Sequence, residues 1–234
     1  MGTIAYRRVV DLSHRIHPGI PLWQGDPAVE FAAVAEISSE GYYLRRFAIG
    51  EHSGTHINAP RSFFADGMGI DGYTAESLVV PAVVIDGRSL VATNPDYCLT
   101  IADVLNWETQ YGKIPAGSVV LFYTGWQEKW SDPTLFMNWD VDGNAHFPGF
   151  SAAATHFLLA DRAIAGVGID THGVDPASDP TFATNRAVLA QAGIVLENLT
   201  NLDQLPPVGT TLAIGILRLQ GGSGSPVSVL AFIL

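Results

Sequence analysis

The stretch at residues 51–66, EHSGTHINAPRSFFAD, decides how the rest of the chain is interpreted. Four of its polar side chains stand at even positions, and they are His52, His56, Asn58 and Ser62. An extended backbone repeats every two residues and would place all four on one face. A helix would also bring the two histidines together, but Gly54 and Pro60 disfavour that conformation. In either conformation the two imidazole rings come close together with Gly54 between them in the sequence. Because glycine has no side chain, there is room beside the rings for an ion or a ligand.

Two histidines four residues apart can ligate a metal ion, since imidazole nitrogens are common zinc ligands. They can equally be two unrelated polar side chains at the end of a strand. The spacing alone leaves both interpretations open, and it names no further ligand.

Strand-like and helix-like stretches alternate on both sides of this segment. Strands are predicted at 9–13, 29–37, 42–49, 79–85, 118–123, 166–169, 194–199, 212–219 and 227–234. Helices are predicted at 101–111 with Thr100 as the cap, from Ser151 to about 165, and at 182–192. This alternation predicts an α/β protein with a mixed sheet. No repeat or linker interrupts the chain, so we expect one domain over residues 1–234.

The charge of the chain limits its partners. Only 15 % of the 234 residues are charged, and 12 Lys and Arg against 23 Asp and Glu give a formal net charge of −11. This acidic balance excludes nucleic acid and anionic membrane surfaces as partners. A hydrophobic fraction of 47 % excludes a disordered chain. So sparsely charged a surface is also typical of subunits that bury area against one another.

The N-terminal residues MGTIAYRRVVDLSH lack the apolar stretch of a signal peptide, and no apolar run in the sequence is long enough to span a membrane. The single Cys98 cannot form an internal disulfide. Together these features predict a cytoplasmic protein.

The stretch HSGTHINAPRS at 52–62 resembles the signature H-x-G-T-H-x-D-x-P-x-H of the cyclase family of metal-dependent hydrolases, the kynurenine formamidase and isatin hydrolase type. Further stretches are similar to this family along nearly the whole chain. They are VVDLSHRIHPGIPLWQGDP at 9–27, GSVVLFYTGWQEKW at 117–130, HFPGFSAAATHFLLADRAIAGVGIDT at 146–171, DPTFATNRAVLAQAGIVLENL at 179–199 and GGSGSPVSVLAF at 221–232. The resemblance implies a swivelling β/β/α domain with a mixed, barrel-like sheet and a few peripheral helices. It also implies a homodimer or homotetramer.

The resemblance implies metal ligation by His52, His56 and a late glutamate, Glu197. Three family positions are replaced here, since the signature Asp is Asn58, the signature's catalytic His is Ser62, and a later His ligand is Asn185. An amide can offer a metal ion only its carbonyl oxygen. We therefore expect one divalent ion at most, zinc or manganese, at His52, His56 and Asn58, or none if the altered site has lost it.

Catalytic roles are predicted for Ser62, Glu197 and His172. A serine hydroxyl has no suitable pKa for unaided acid–base work, and Glu197 can be a ligand or a base. His172 lies in the stretch IDTHGVDP at 169–176. It can act as a relocated acid–base group, or it can be a loop histidine that is hydrogen-bonded to a carboxylate.

Substrate contacts are predicted at Trp23, Arg61, Phe63 and Asn185. The aromatic side chains suit an aromatic substrate, and Arg61 can hold a substrate carboxylate or pair with a surface acid. The leading hypothesis is an enzyme that hydrolyses, or closes, a C–N or C–O bond of a small aromatic or cyclic amide or lactone. The alternatives are a metal-free cyclase, dehydratase or isomerase of secondary metabolism, and a catalytically silent ligand-binding paralogue.

Overall fold

The computed structural model describes residues 5–234, and residues 1–4 of the predicted domain lie outside this part of the chain. The described strands are β1 Arg8–Asp11, β2 Glu30–Ala35, β3 Leu44–Ala48, β4 His56–Asn58, β5 Val79–Asp86, β6 Cys98–Leu99, β7 Val119–Tyr123, β8 Gly149–Phe150, β9 Gly166–Ile169, β10 Ile194–Glu197, β11 Thr210–Ile216 and β12 Gly224–Ile233. The described α-helices are α1 Ile37–Glu40, α2 Arg88–Val91, α3 Ile101–Tyr111, α4 Pro133–Met137, α5 Ala152–Arg162 and α6 Ala183–Leu189.

The main sheet contains eight strands in the order β1-β12-β11-β5-β7-β9-β10-β4. Because β4 also pairs with β12, seven of these strands close into a barrel, and β1 pairs only with β12. The neighbours β5, β7, β9 and β10 run parallel, whereas β4 is antiparallel to both β10 and β12. The predicted α/β fold, a swivelling β/β/α domain with a mixed, barrel-like sheet, is confirmed.

The side chains of β7 alternate between two hydrophobic cores. Val119 and Leu121 belong to the first core, whose other members come from strands all around the barrel. Val120 and Phe122 belong to the second core, which packs against the helices and includes Trp107 of α3. The sequence of β7 is a continuous apolar run because both faces of the strand are buried, one in each core.

The caps predicted from the sequence begin α3 and α5. Thr100 Oγ1 accepts a hydrogen bond from the Asp103 backbone N–H at 3.2 Å, and the Asp103 carboxylate accepts one from the Thr100 N–H at 2.8 Å. Ser151 caps α5 with a single hydrogen bond, which its Oγ accepts from the Ala154 backbone N–H at 3.1 Å. The predicted end of α5 near 165 is wrong, because Ala163 adopts a left-handed conformation with φ 51° and ends the helix at Arg162.

Residues 51–66 do not form one extended strand, which corrects the expectation from the alternating pattern. Only β4 is extended there, and His52 lies in a turn before it. The chain turns at Gly54, whose φ of 65° is a left-handed conformation that suits glycine. The turn still brings His52 and His56 together, with ring centroids 5.3 Å apart.

The strands β2 and β3 pair only with each other and form a two-stranded arm beside the barrel. Several large apolar side chains of this β2–β3 arm and its connection are exposed, and they include Val34, Ile37, Tyr42, Tyr43, Leu44 and Phe47. Across residues 5–234, no helix combines the length and the apolar character that crossing a membrane requires.

Candidate active site

A cavity of 560 Å³ lies where the parallel strands β9 and β10 end, the edge at which open α/β sheets commonly bind ligands. Its aromatic lining consists of Trp23, Phe63, Phe147 and Phe182. Its histidines are His52, His56 and His172, and its carboxylates are Asp26, Asp175, Asp179 and Glu197. The lining therefore combines flat apolar walls with a small set of ionisable groups.

The floor of the cavity is built on a cross-strand pair between β4 and β10. The register of these strands places His56 opposite Glu197, and His56 Nε2 lies 3.0 Å from Glu197 Oε2. Both side chains are buried. His56 Nδ1 lies 2.9 Å from the Gly54 carbonyl oxygen, so both of its ring nitrogens face acceptor oxygens.

Two amides complete this floor, which we define as His56, Asn58, Asn185 and Glu197. Asn58 Nδ2 donates to Glu197 Oε2 at 3.1 Å and to Asn185 Oδ1 at 2.9 Å. Asn185 Nδ2 donates to Glu197 Oε1 at 3.2 Å and to a carboxylate oxygen of Asp175 at 2.8 Å. With the nearby Val174 backbone N–H donating at 3.0 Å, four nitrogen atoms surround the Glu197 carboxylate.

The four nitrogen atoms around Glu197 determine the pKa of its carboxyl group. Burial alone would raise the pKa of Glu197, but the hydrogen bond and charge of His56 and the N–H donors outweigh burial and lower the pKa to about 2. Asp175 shows the opposite balance, because burial raises its pKa to about 6 despite hydrogen bonds from Asn185 and the Thr184 N–H. Glu197 is therefore a weak base that stays ionised at neutral pH.

His52 connects the floor to the loop that precedes β12. Its Nδ1 lies 2.8 Å from Asn58 Oδ1, and its Nε2 lies 2.9 Å from Ser223 Oγ. Ser223 Oγ in turn donates to Glu51 Oε2 at 2.6 Å. A Cβ on Gly224 would lie 2.6 Å from His52 Cε1, so this glycine makes room for the ring. Burial, followed by the nearby charge of His56, lowers the pKa of His52.

Ser62 lines the cavity, but its hydroxyl is already used by the protein. Ser62 Oγ donates to the backbone carbonyl oxygen of Ser223. Within residues 5–234, Ser62 Oγ makes no hydrogen bond to a histidine or a carboxylate that could take its proton. The serine that stands at the family's catalytic position therefore lacks a base beside it.

One wall of the cavity is formed by His172 and Trp23. Their rings stack with centroids 5.0 Å apart and planes 14° apart. His172 Nδ1 is buried and has no hydrogen-bond partner in the described part of the chain. Burial lowers the pKa of His172 to about 4, so its imidazole is neutral at pH 7. Trp139 and Phe147 pack on Trp23, at centroid distances of 4.8 and 6.2 Å.

All of the predicted site residues except Arg61 line this cavity. Arg61 is exposed and lies outside the lining, which separates it from the other predicted substrate contacts. Sequence reasoning missed the acids Asp26 and Asp179 and the aromatic rings Phe147 and Phe182. All four residues lie within the stretches that resemble the family, and this was the one signal in the sequence. In the structure they lie in loops or at the start of a helix.

The chemistry of the floor does not fit a resident divalent ion. A metal ion needs several lone pairs that converge on one point. The oxygens of Glu197 are instead directed at N–H groups, and Asn58 presents its NH2 group, which can only donate, to this carboxylate. Both ring nitrogens of His56 lie against acceptor oxygens of the protein, the Gly54 carbonyl oxygen and Glu197 Oε2.

The predicted ligands are thus paired with one another. Across residues 5–234, no three His, Cys, Asp or Glu side chains form a group that could hold a metal ion. The residues at which we expected one ion at most, His52, His56 and Asn58, are hydrogen-bonded to one another or to Glu197.

The chain belongs to the Cyclase family, because the family model described as "Putative cyclase" matches residues 10–176. It is 32 % identical to isatin hydrolase of Roseibium aggregatum, over 96 % of this chain and 91 % of that relative. It is 29 % identical to a kynurenine formamidase of Erythrobacter litoralis, over 86 % of this chain and 82 % of the relative. The solved structure of isatin hydrolase A from Ralstonia solanacearum is 35 % identical and superposes with a TM-score of 0.90, over 97 % of this chain and 92 % of that one. The family resemblance that the sequence predicted is confirmed.

Proposed function

We propose that the protein is an enzyme that breaks or forms a C–N or C–O bond of a small aromatic cyclic amide or lactone. In this proposal the reaction proceeds by proton transfer at His172. One observation carries it: a neutral imidazole, without a hydrogen-bond partner at its buried nitrogen, stands on the aromatic wall of the cavity. Two relatives are by name hydrolases of the same general kind, one of isatin and one of a kynurenine formamide.

The dimensions and lining of the cavity support a small aromatic substrate. Its volume of 560 Å³ is in the usual range for small-molecule sites, which is roughly 300–1,000 Å³. Trp23 and Phe147 form one aromatic pair of the lining, and Phe63 and Phe182 form another, so the lining offers flat apolar surfaces. Aromatic faces of this kind favour stacked or edge-on contact with another ring.

In this proposal His172 transfers the proton, and the other polar groups of the site hold the floor or bind the substrate. His172 can accept the proton of an attacking water or of a ring atom, and it can then return that proton to the leaving nitrogen or oxygen. Such acid–base assistance contributes about 100-fold to 10,000-fold in rate. The low pKa of Glu197, about 2, favours a role in holding the floor. The lone pairs of Ser62 Oγ favour a contact with a substrate N–H or O–H.

The second candidate function is a catalytically silent ligand-binding protein. The observation that favours it is the pairing of the floor, where Glu197 and both amides bond to other protein groups. Such a floor can shape a cavity without reacting. The two candidates differ in turnover, since a silent paralogue binds an aromatic ligand and leaves it unchanged.

The experiment that tests the enzyme measures turnover of isatin and of a panel of aromatic cyclic amides, lactones and formamides. The variants are His172→Phe and a matched control, His14→Phe. His14 also stacks on a tryptophan, Trp130, and also has a buried ring nitrogen without a partner, but it lies outside the cavity lining.

We expect His172→Phe to lower kcat/KM at least about 100-fold, because the replacement keeps the stacking on Trp23 and removes the base. We expect His14→Phe to retain the rate. Equal rates in wild type and His172→Phe would refute the acid–base role. Binding of panel members without turnover of any would establish the silent alternative.

We also propose that the chain assembles with a second copy through the β2–β3 arm. A two-stranded sheet alone is marginally stable in water, and Val34 and Phe47 of this arm are 60 % and 59 % exposed. Covering such side chains stabilises both the arm and the pair of subunits.

Light scattering after size-exclusion chromatography should give a dimer or a tetramer for the wild type. It should give a monomer for Val34→Lys/Phe47→Lys, and a monomeric wild type would refute this assembly.

A further inference from the structure

We propose that the cavity selects its ligand by charge, accepting a neutral or cationic aromatic ring and rejecting an aromatic carboxylate. This inference rests on the proposed function, since it concerns the same cavity, and it specifies the class of ligand. It departs from the expectation that Arg61 would hold a substrate carboxylate.

The lining carries charge of one sign. Four carboxylates line the cavity, and they are Asp26, Asp175, Asp179 and Glu197. Within residues 5–234, no lysine or arginine belongs to the lining. Arg186 approaches the lining, because it packs on Phe63 with its guanidinium carbon 5.2 Å from the ring centroid and donates to the Phe63 carbonyl oxygen. It is exposed and remains outside the lining.

The histidines of the cavity leave this charge largely uncompensated. Burial keeps His172 neutral at pH 7, and both ring nitrogens of His52 lie within hydrogen-bond distance of Asn58 Oδ1 and Ser223 Oγ. His56 faces Glu197 directly, so any positive charge on its ring is already paired with that carboxylate. Since the floor does not fit a divalent cation, no other described group offsets the remaining acids.

Two of these acids are placed to meet a ligand. Asp26 is exposed in the turn after Trp23, and its carboxylate makes no hydrogen bond or ion pair with another described residue. Asp179 accepts hydrogen bonds from the Thr181 and Ala183 backbone N–H groups at the start of α6 and also lines the cavity. Both add negative potential next to the aromatic walls.

The aromatic walls add to this preference. The faces of the lining rings Trp23, Phe63 and Phe147 are rich in π-electron density, which attracts a cation and repels an anion. A ligand carboxylate would have to leave water and lie among like charges without a basic partner. A neutral amide or an amidinium ion avoids that cost.

The test uses three probes of one shape and three charges, namely benzamidine, benzamide and benzoate. Binding to the full-length protein is followed by tryptophan fluorescence, with Trp23 as a reporter in the lining, and by calorimetry at pH 7.5 and low salt. We expect benzamidine to bind at least about tenfold more tightly than benzoate, a difference of about 1.4 kcal/mol. Benzamide should lie between them, and added salt should narrow the gap.

A charge variant locates the effect. Asp26→Asn should weaken benzamidine and strengthen benzoate, whereas Asp161→Asn, an exposed acid on α5 outside the lining, should change neither. Benzoate that binds as tightly as benzamidine would overturn the inference. So would a failure of all three probes to bind at millimolar concentration.

These outcomes can be separated from those of the proposed function. If benzoate binds well while His172→Phe abolishes turnover, charge selection fails and the enzyme proposal stands. If benzamidine is preferred while His172→Phe retains full turnover, the acid–base role fails and charge selection stands.

Discussion

The floor and the wall of the cavity each contain a buried histidine, but the two histidines differ in whether their ring nitrogens have partners. On the floor, His56 and Glu197 lie within a network in which the carboxylate is surrounded by four nitrogens. On the wall, His172 stacks on Trp23, and its buried Nδ1 has no partner in the described chain. Paired buried groups contribute to stability, whereas an unpaired buried group costs free energy. From this contrast we infer that the floor is structural, and we propose the wall as the reactive side of the cavity.

The largest expected effect comes from breaking the floor. Glu197→Ala removes the carboxylate that four nitrogens face, and we expect the free energy of unfolding to fall by about 3–5 kcal/mol. Denaturant unfolding measures this loss. The matched control is Asp86→Ala, which breaks an exposed ion pair with Arg88 and should cost less than about 1 kcal/mol. Equal losses in both variants would contradict a structural floor.

The next effect comes from converting the floor back toward a metal site. Asn58→Asp replaces two N–H donors by a carboxylate next to Glu197, so we expect a loss of about 2–3 kcal/mol through like-charge contact and lost hydrogen bonds. The same change replaces the Asn58 NH2 group by an oxygen with lone pairs beside Glu197, so zinc should raise the melting temperature of the variant and leave that of the wild type unchanged. A zinc-induced rise in the wild type would argue that the amides do not exclude the ion.

The wall should respond to substitution in the opposite direction. His172→Phe preserves the stacking on Trp23 and removes the unpaired nitrogen, so its free energy of unfolding at pH 7.5 should match or exceed that of the wild type by up to about 1 kcal/mol. Denaturant unfolding measures this difference. A loss of several kcal/mol would mean that His172 has a structural role that the contacts do not account for.

The pH dependence of stability tests whether the His172 ring is buried in its neutral form. Burial lowers the pKa of His172 to about 4 in the folded state, against about 6.5 in the unfolded chain. A base whose folded pKa is lowered stabilises the fold above pH 6.5 and loses that contribution as pH falls toward 4. The stability gap in favour of His172→Phe should therefore widen between pH 6.5 and pH 4. His14→Phe should behave in the same way, since the pKa of His14 is also about 4, and a constant gap in both would contradict the buried neutral rings.

The smallest effect is expected at Arg61. Its side chain is exposed and outside the lining, so Arg61→Ala should leave ligand affinity and turnover within about twofold of the wild type. Phe63→Ala, two positions further along and inside the lining, should weaken aromatic ligands. Titration of benzamidine into both variants measures the difference. A loss at Arg61 as large as that at Phe63 would restore the arginine as a ligand contact.

Much of the fold could be predicted from the sequence because its strands are short, buried and apolar. The runs at 79–85, 118–123 and 166–169 coincide closely with β5, β7 and β9. Helix ends were less predictable, since a single left-handed residue, Ala163, ends α5 early. Propensity gives no signal for that conformation at alanine.

The members of the site could be predicted through the family resemblance, but their pairing could not. Which group Asn58 bonds to depends on the register of β4 against β10 and on where α6 places Asn185. These are contacts between residues more than a hundred positions apart, and no local pattern encodes them. The same holds for Asp26 and Asp179, whose place at the cavity follows from loop geometry alone.

The most direct test of this account is the metal content of the full-length protein, purified without chelator and dialysed first against zinc or manganese and then against metal-free buffer. Elemental analysis should find well under one ion per chain, with the same trace level in His52→Ala, because hydrogen bonds occupy the would-be ligands. One ion per chain in the wild type, lost in His52→Ala, would contradict the paired floor.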